Sequence, residues 1–176
     1  MAGLDVPFTA IMIDADESYP VELEGGDIPA FISRAKAQAY ARELKEDQLL
    51  ITADTIVWLD GKMLGKPHDE SDAKAMLRAL SGKTHQVFTG VTFAEKLSTF
   101  DFRLSTIVDC TDVTFAELTD EEIDYYVTKY RPMDKAGAYG VQEWIGYIAC
   151  TGMNGSYFNV MGFPVHKVYE KLKNYI

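Results

Sequence analysis

The sequence predicts a mixed α/β domain, and three observations carry that expectation. Two long β-rich runs, Thr84 to Glu95 and Asp101 to Thr114, are joined by a turn near Lys96 to Thr99 and read as a central hairpin. Helical spacing recurs on both sides of them, and strands and helices alternate too irregularly for a regular Rossmann or barrel arrangement. The chain has 176 residues, 47% hydrophobic and 12% aromatic, which is enough for the core of one domain.

From the start, Thr9 to Ile13 reads as a short strand entering the acidic turn Asp14 to Pro20. Asp27 is placed as an N-cap, with Pro29 in the first turn of a helix running to about Leu44. On it Phe31, Ala35, Gln38 or Ala39 and Arg42 share a face, while Lys36 lies one helical step from Ile32 and Tyr40, beside an apolar stripe. Leu49 to Leu59 reads as a strand buried on both faces, with Asp54 at its middle. Asp60-Gly61 is a two-residue hairpin signal, with Lys62 to Leu64 as the return strand.

Ser71 to Leu80 has helical spacing at Ala73, Met76, Leu77 and Leu80, and Ser81-Gly82 stops it. Thr119-Asp120-Glu121-Glu122 is a capping box for a helix ending near Tyr130, ahead of Pro132. Asp134 to Gly140 reads as a loop whose two glycines allow close backbone approach. Tyr147 to Cys150 reads as a strand, Asn154-Gly155 as a turn, and Val165 to Tyr175 as a closing helix after Pro164. No internal repeat or low-complexity linker interrupts the chain.

Charge and composition exclude several function classes. A net charge of −10 gives a nucleic-acid polymer or an anionic membrane no basic face to meet. A phosphorylated small molecule is still compatible, because a divalent ion held by carboxylates reverses the local sign. No apolar run reaches the roughly 18 residues that span a bilayer, and no basic-then-apolar leader opens the chain, so a cytoplasmic protein is expected. Cys110 and Cys150 lack ligand spacing and read as buried small hydrophobes rather than a disulfide or a zinc site.

Among candidate chemical groups Asp54 stands out, because an ionised carboxylate in a buried strand needs a cation, a metal or several donors beside it. The bland alternative is a carboxylate on the solvent face of an edge strand. Lys36 and Lys66 are by default solvated surface charges, though Gly65 and Pro67 place Lys66 in a stiff turn close in the chain to the Asp54 hairpin. Asp16-Glu17 is ordinary surface acid unless it faces Asp54, where two carboxylates would make an oxygen site for magnesium or manganese. His68, His85 and His166 are scattered and no serine sits in a nucleophile elbow, which argues against triad catalysis. Neither G-x-G-x-x-G nor a P-loop is present, so phosphate must be met by lysines and a metal.

Five ordered motifs carry a resemblance: Thr52-Ala53-Asp54-Thr55-Ile56-Val57, Leu64-Gly65-Lys66-Pro67, Leu80 to Val91, Asp134 to Gln142, and Gly155 to Pro164. Together they resemble the Maf family of nucleoside triphosphate pyrophosphatases over nearly the whole chain. The resemblance implies an inosine triphosphate pyrophosphatase-like α/β fold with a cleft between two lobes. It also implies hydrolysis of a nucleoside triphosphate to the monophosphate and pyrophosphate, a divalent metal (Mg or Mn) and a homodimer. Residue by residue, it puts Asp54 at the proton-acceptor position, Lys36 and Lys66 at phosphate-facing positions, and Glu17 with Asp54 near the metal. Thr55, Gln142 and Lys135 fall at substrate-binding positions, and the Thr55 and Gln142 pair resembles the branch acting on dTTP and UTP. A rival of another class is a catalytically impaired nucleotide-binding regulator linked to division arrest.

One departure stands against the resemblance. The family begins with a strand and a Ser-x-Ser-Pro-Arg-Arg loop, whereas Met1 to Asp5 aligns with the end of the helix that follows them. The expectation is therefore a single domain over 1–176, N-terminally truncated relative to the family, either trimmed or, the favoured alternative, given a misassigned start. Weak activity for this form and an unpaired sheet edge would follow.

Overall fold

The computed structural model describes residues 2–12, 15–98 and 101–175. Its elements are α1 (Asp27–Ala41), β1 (Leu49–Leu59), β2 (Lys62–Leu64), α2 (Glu70–Leu80), β3 (Thr84–Lys96), β4 (Phe102–Phe115), α3 (Asp120–Tyr130), α4 (Trp144–Ala149), β5 (Cys150–Asn154), α5 (Tyr157–Val160) and α6 (Val165–Leu172). The strands form one sheet in the order β2-β1-β3-β4-β5, so the expected mixed α/β class with flanking helices is what the chain adopts.

The hairpin joining β1 and β2 pairs Val57 with Leu64 and Leu59 with Lys62, antiparallel. Asp60 (φ 50°) and Gly61 (φ 78°) both lie at positive φ, as a two-residue turn matched to strand twist requires. β4 and β5 are antiparallel with a register shift between Thr114 and Phe115. The connection between β3 and β4 is closed by Leu97 N–H to the Asp101 carbonyl, 2.9 Å.

The chain divides into two compact units: Met1–Asp54 with Thr89–Asp109 and Gly162–Ile176, and Thr55–Phe88 with Cys110–Met161. In the first, α1 buries Ile28, Ile32, Ser33, Ala37 and Ala41, a stripe at helical spacing. α6 packs Val168 and Leu172 against Val91 and Phe93 of β3. Gly90 of β3 lies so close to the Pro29 carbonyl that a Cβ there would penetrate it. In the second unit, Ala73, Leu77 and Leu80 of α2 meet Ile123, Tyr126 and Val127 of α3 over Val57, Val87, Val113 and Phe115. Two ion pairs, Lys74–Asp124 (2.8 Å) and Arg78–Asp120 (2.7 Å), tie α2 to α3 at the surface.

Several expectations are corrected. Residues 9–12 form no strand and Phe8, Ile11 and Met12 are exposed; a lone extended segment needs a paired neighbour. The remainder of that expected strand and turn, Ile13 and Asp14, lies outside the described residues. Asp27 is inside α1, where its charge suits the helix N-terminus, and Gly26 holds the cap position without a side-chain bond. The helix also stops at Ala41 rather than Leu44. The stretch read as a strand at Tyr147 to Cys150 is mostly α4, because Ile145 and Ala149 bury a common face four residues apart. Cys110 is exposed and Cys150 only half-buried, and neither is in a disulfide. Among the described residues, no helix is long and apolar enough to cross a membrane.

Candidate functional site

In the first unit the buried carboxylate of β1 has its cation. Lys36 Nζ lies 2.8 Å from Asp54 Oδ1 and 2.8 Å from Glu17 Oε1, so one ammonium bridges two carboxylates. Asp54 is 13% exposed and Glu17 48%. Burial pulls the Lys36 pKa down, but its hydrogen bonds and charge attraction to Asp54 and Glu17 outweigh burial, and the net shift is upward. Asp16 accepts the Ser18 N–H at 2.9 Å, and among the described residues of the acidic turn it is Glu17 that makes this contact.

Local structure explains why Lys36 meets Asp54. Thr52 Oγ1, two residues before Asp54, donates to the Ser33 carbonyl at 2.7 Å, one helical turn before Lys36. The Ser33 hydroxyl donates to the Ala30 carbonyl (3.1 Å) and contacts Thr92 Oγ1 (3.0 Å), which in turn contacts Thr106 Oγ1 (2.9 Å). This buried hydroxyl chain pins α1 to β1, β3 and β4 at fixed register. Sequence reasoning passed over it; small hydroxyl residues at core positions of a helix and three strands were the available signal.

The second unit holds the remaining predicted residues, with Lys135 and Gln142 on the loop 134–143 and Lys66 beside it. Thr55 follows Asp54 on β1 and is half-buried, while Lys66 and Gln142 are exposed. Gly137 N–H donates to the Gly65 carbonyl at 3.0 Å, which fastens the loop to the turn carrying Lys66. Gly137 (φ 67°) and Ala138 (φ 58°) are both left-handed, and a Cβ on Gly137 would lie 2.9 Å from Val57 Cγ2. Lys135 Nζ sits 2.9 Å from Asp134 Oδ1 and 3.4 Å from Glu143 Oε1. Burial lowers the Lys135 pKa, but the two carboxylates outweigh it and the net shift is upward. Lys66 adds to the field that lowers Asp134, after the larger effect of its hydrogen bond to Lys135.

Two residues that sequence reasoning missed hold this loop. The Tyr126 hydroxyl, on the buried face of α3, donates to Glu143 Oε2 and accepts the Gly140 N–H at 3.1 Å. Burial and the bond to Glu143 push the Tyr126 pKa far up. A tyrosine spaced with Ile123 and Val127 needs a partner for its hydroxyl, which was the available signal.

The comparisons with known proteins agree with one another. The family model described as Maf-like protein matches residues 1–175. A protein of Bacteroides thetaiotaomicron named dTTP/UTP pyrophosphatase is 55% identical over 174 residues, covering 98% of this chain and 88% of that protein. Proteins of the same name from Phocaeicola vulgatus and Porphyromonas gingivalis are 53% and 50% identical, covering 98% and 99% of this chain and 88% and 87% of their own lengths. A family model over residues 1–175 and similarity of this degree over nearly the whole chain make the chain a member of the Maf-like protein family.

Proposed function

We propose that this chain is a nucleoside triphosphate pyrophosphatase that hydrolyses dTTP and UTP to the monophosphate and pyrophosphate. The observation that carries the reading is the Lys36 ammonium seated between Asp54 and Glu17, a preformed charged cluster that joins α1 to β1. The names of relatives at 50 to 55% identity support the choice of substrate.

In this reading water is the nucleophile and Asp54 accepts its proton. The α–β anhydride breaks and pyrophosphate leaves with the bonding electron pair. Lys36 holds the Asp54 carboxylate through Oδ1 and stays protonated through neutral pH, since its pKa is raised. Lys66 and Lys135 bring positive charge to a triphosphate, Gln142 and Thr55 meet the nucleoside, and catalysis is electrostatic without a covalent intermediate.

The residues fit a divalent metal. Asp54 and Glu17 already grip a cation, and two carboxylates are about what magnesium takes from a protein when phosphate oxygens and waters complete its shell. Among the described residues no set of three His, Cys, Asp or Glu gathers for a metal, so the triphosphate would supply the rest. Bound there, Mg or Mn supplies charge neutralisation and polarises a phosphoryl oxygen. A cytoplasmic location and a homodimer belong to the same proposal.

Pyrophosphate release from dTTP and UTP with magnesium tests it, in wild type and in Asp54→Asn. The amide keeps the shape but does not take the proton, so turnover should fall at least about 100-fold. Wild-type turnover by Asp54→Asn would remove Asp54 from the mechanism.

A further inference from the structure

We infer that Tyr126 and Glu143 are positioning residues that clamp the loop 134–143, holding Lys135 and Gln142 in one arrangement and thereby setting affinity and base preference. The inference rests on the substrate reading above for what the loop meets, and on geometry within one unit for how it is held.

The loop has an expensive conformation. Gly137 and Ala138 are consecutive left-handed residues, and Ala138, fully buried, carries a Cβ there. Such a backbone persists only where its surroundings over-determine it. Three contacts do so: Gly137 N–H to the Gly65 carbonyl, Gly140 N–H to the Tyr126 hydroxyl, and the Glu143 carboxylate to that same hydroxyl. One buried phenol thus fastens the loop at residues 140 and 143, on either side of Val141 and Gln142.

Glu143 in turn uses both oxygens. Oε2 accepts a hydrogen bond from the Tyr126 hydroxyl and Oε1 faces Lys135 at 3.4 Å. Gly140 leaves the space they need, since a Cβ there would lie 3.0 Å from Lys135 Cε and 3.1 Å from Glu143 Cδ. The order of dependence is therefore Tyr126 to Glu143 to Lys135, with the backbone of Gln142 fixed on the way. Neither Tyr126 nor Glu143 is needed for bond breaking, so their loss should appear in binding and selection.

Two variants separate the parts. Tyr126→Phe deletes one oxygen from a fully buried ring and releases both Gly140 and Glu143. KM for dTTP and UTP should rise about tenfold, a size fitting the loss of a hydrogen bond to a charged group, with kcat changing far less. Preference for UTP over GTP should fall by a similar factor, and exchange of the Gly140 amide with solvent deuterium should quicken. Glu143→Gln keeps an acceptor for Tyr126 but removes the charge facing Lys135. Its KM should rise while the UTP-over-GTP preference and Gly140 protection stay near wild type.

A Tyr126→Phe protein with unchanged KM, preference and Gly140 exchange overturns the inference. So does a Glu143→Gln protein that loses base preference as fully as Tyr126→Phe. If wild type hydrolyses no triphosphate, the substrate reading fails by itself and Gly140 exchange decides the clamp: faster exchange in Tyr126→Phe supports it, unchanged exchange overturns it.

Discussion

Lowering the pH from 7 to 4 should cost this fold about 3 kcal/mol through one side chain, His85. His85 is 1% exposed, packed edge-on against Phe115 (4.9 Å between ring centres) and Tyr139 (5.4 Å). Nε2 meets the Tyr139 hydroxyl at 2.7 Å, and among the described residues Nδ1 has no hydrogen-bond partner. Burial pushes the pKa from the ordinary 6.5 down to about 4. The folded state therefore favours the neutral ring, and the unfolded chain takes up a proton first as acid is added. The contribution is complete above pH 6.5 and is lost as pH falls from there to about 4. At about 1.4 kcal/mol per pH unit over that interval, the loss is about 3 kcal/mol. Urea unfolding of wild type and His85→Gln at several pH values between 7.5 and 4 measures it, since the amide can still pair with Tyr139 but does not titrate. Wild type should lose about 3 kcal/mol more than the variant. Parallel losses in the two proteins, or a His85 ring that titrates near 6.5 by NMR, would refute the argument.

Substitutions at two further positions probe how Lys36 is brought to Asp54. Gly90→Ala puts a methyl into the Pro29 carbonyl, so α1 or β3 must move; we expect about 1–3 kcal/mol of destabilisation in urea and a loss of turnover larger than stability explains. Thr52→Val removes the 2.7 Å bond to the Ser33 carbonyl with little change of shape, and should cost about 1–2 kcal/mol with a fall in kcat; Thr52→Ser should recover most of both, as urea midpoints and pyrophosphate release would show.

Much of this fold was legible because its signals are local. The Thr119 capping box forms with both of its bonds, the Asp60-Gly61 turn adopts the positive φ its sequence demands, and the two long β runs become β3 and β4. The errors fell where a local pattern competes with its neighbours. Tyr147 to Ala149 is β-prone by composition, yet the burial of Ile145 and Ala149 selects a helix. The site divides in the same way. Asp54 was identifiable because a carboxylate inside an apolar strand demands a partner, and Lys36 at the edge of an apolar stripe was a reasonable candidate. The Tyr126 and Glu143 contact was not, because the residues are far apart in sequence and a glutamate after Gln142 looks like surface charge. Pairing at that distance is decided by tertiary packing, which no periodicity encodes.

The two units repeat one electrostatic device. Lys36 lies between Asp54 and Glu17, and Lys135 between Glu143 and Asp134. In each case one carboxylate is largely buried, at 13% and 21% exposure, and the other is open to solvent, at 48% and 76%. The exposed carboxylate can yield its place to a phosphate oxygen at little cost, since exposed ion pairs are worth about 1 kcal/mol or less. Two carboxylates and one ammonium leave the Lys36 cluster with net negative charge, which repels a bare triphosphate, whereas Lys66 adds a second positive charge beside Asp134 in the other. A divalent cation bound at the Lys36 cluster would reverse that sign, which is the electrostatic argument for proposing a metal beside the lysines.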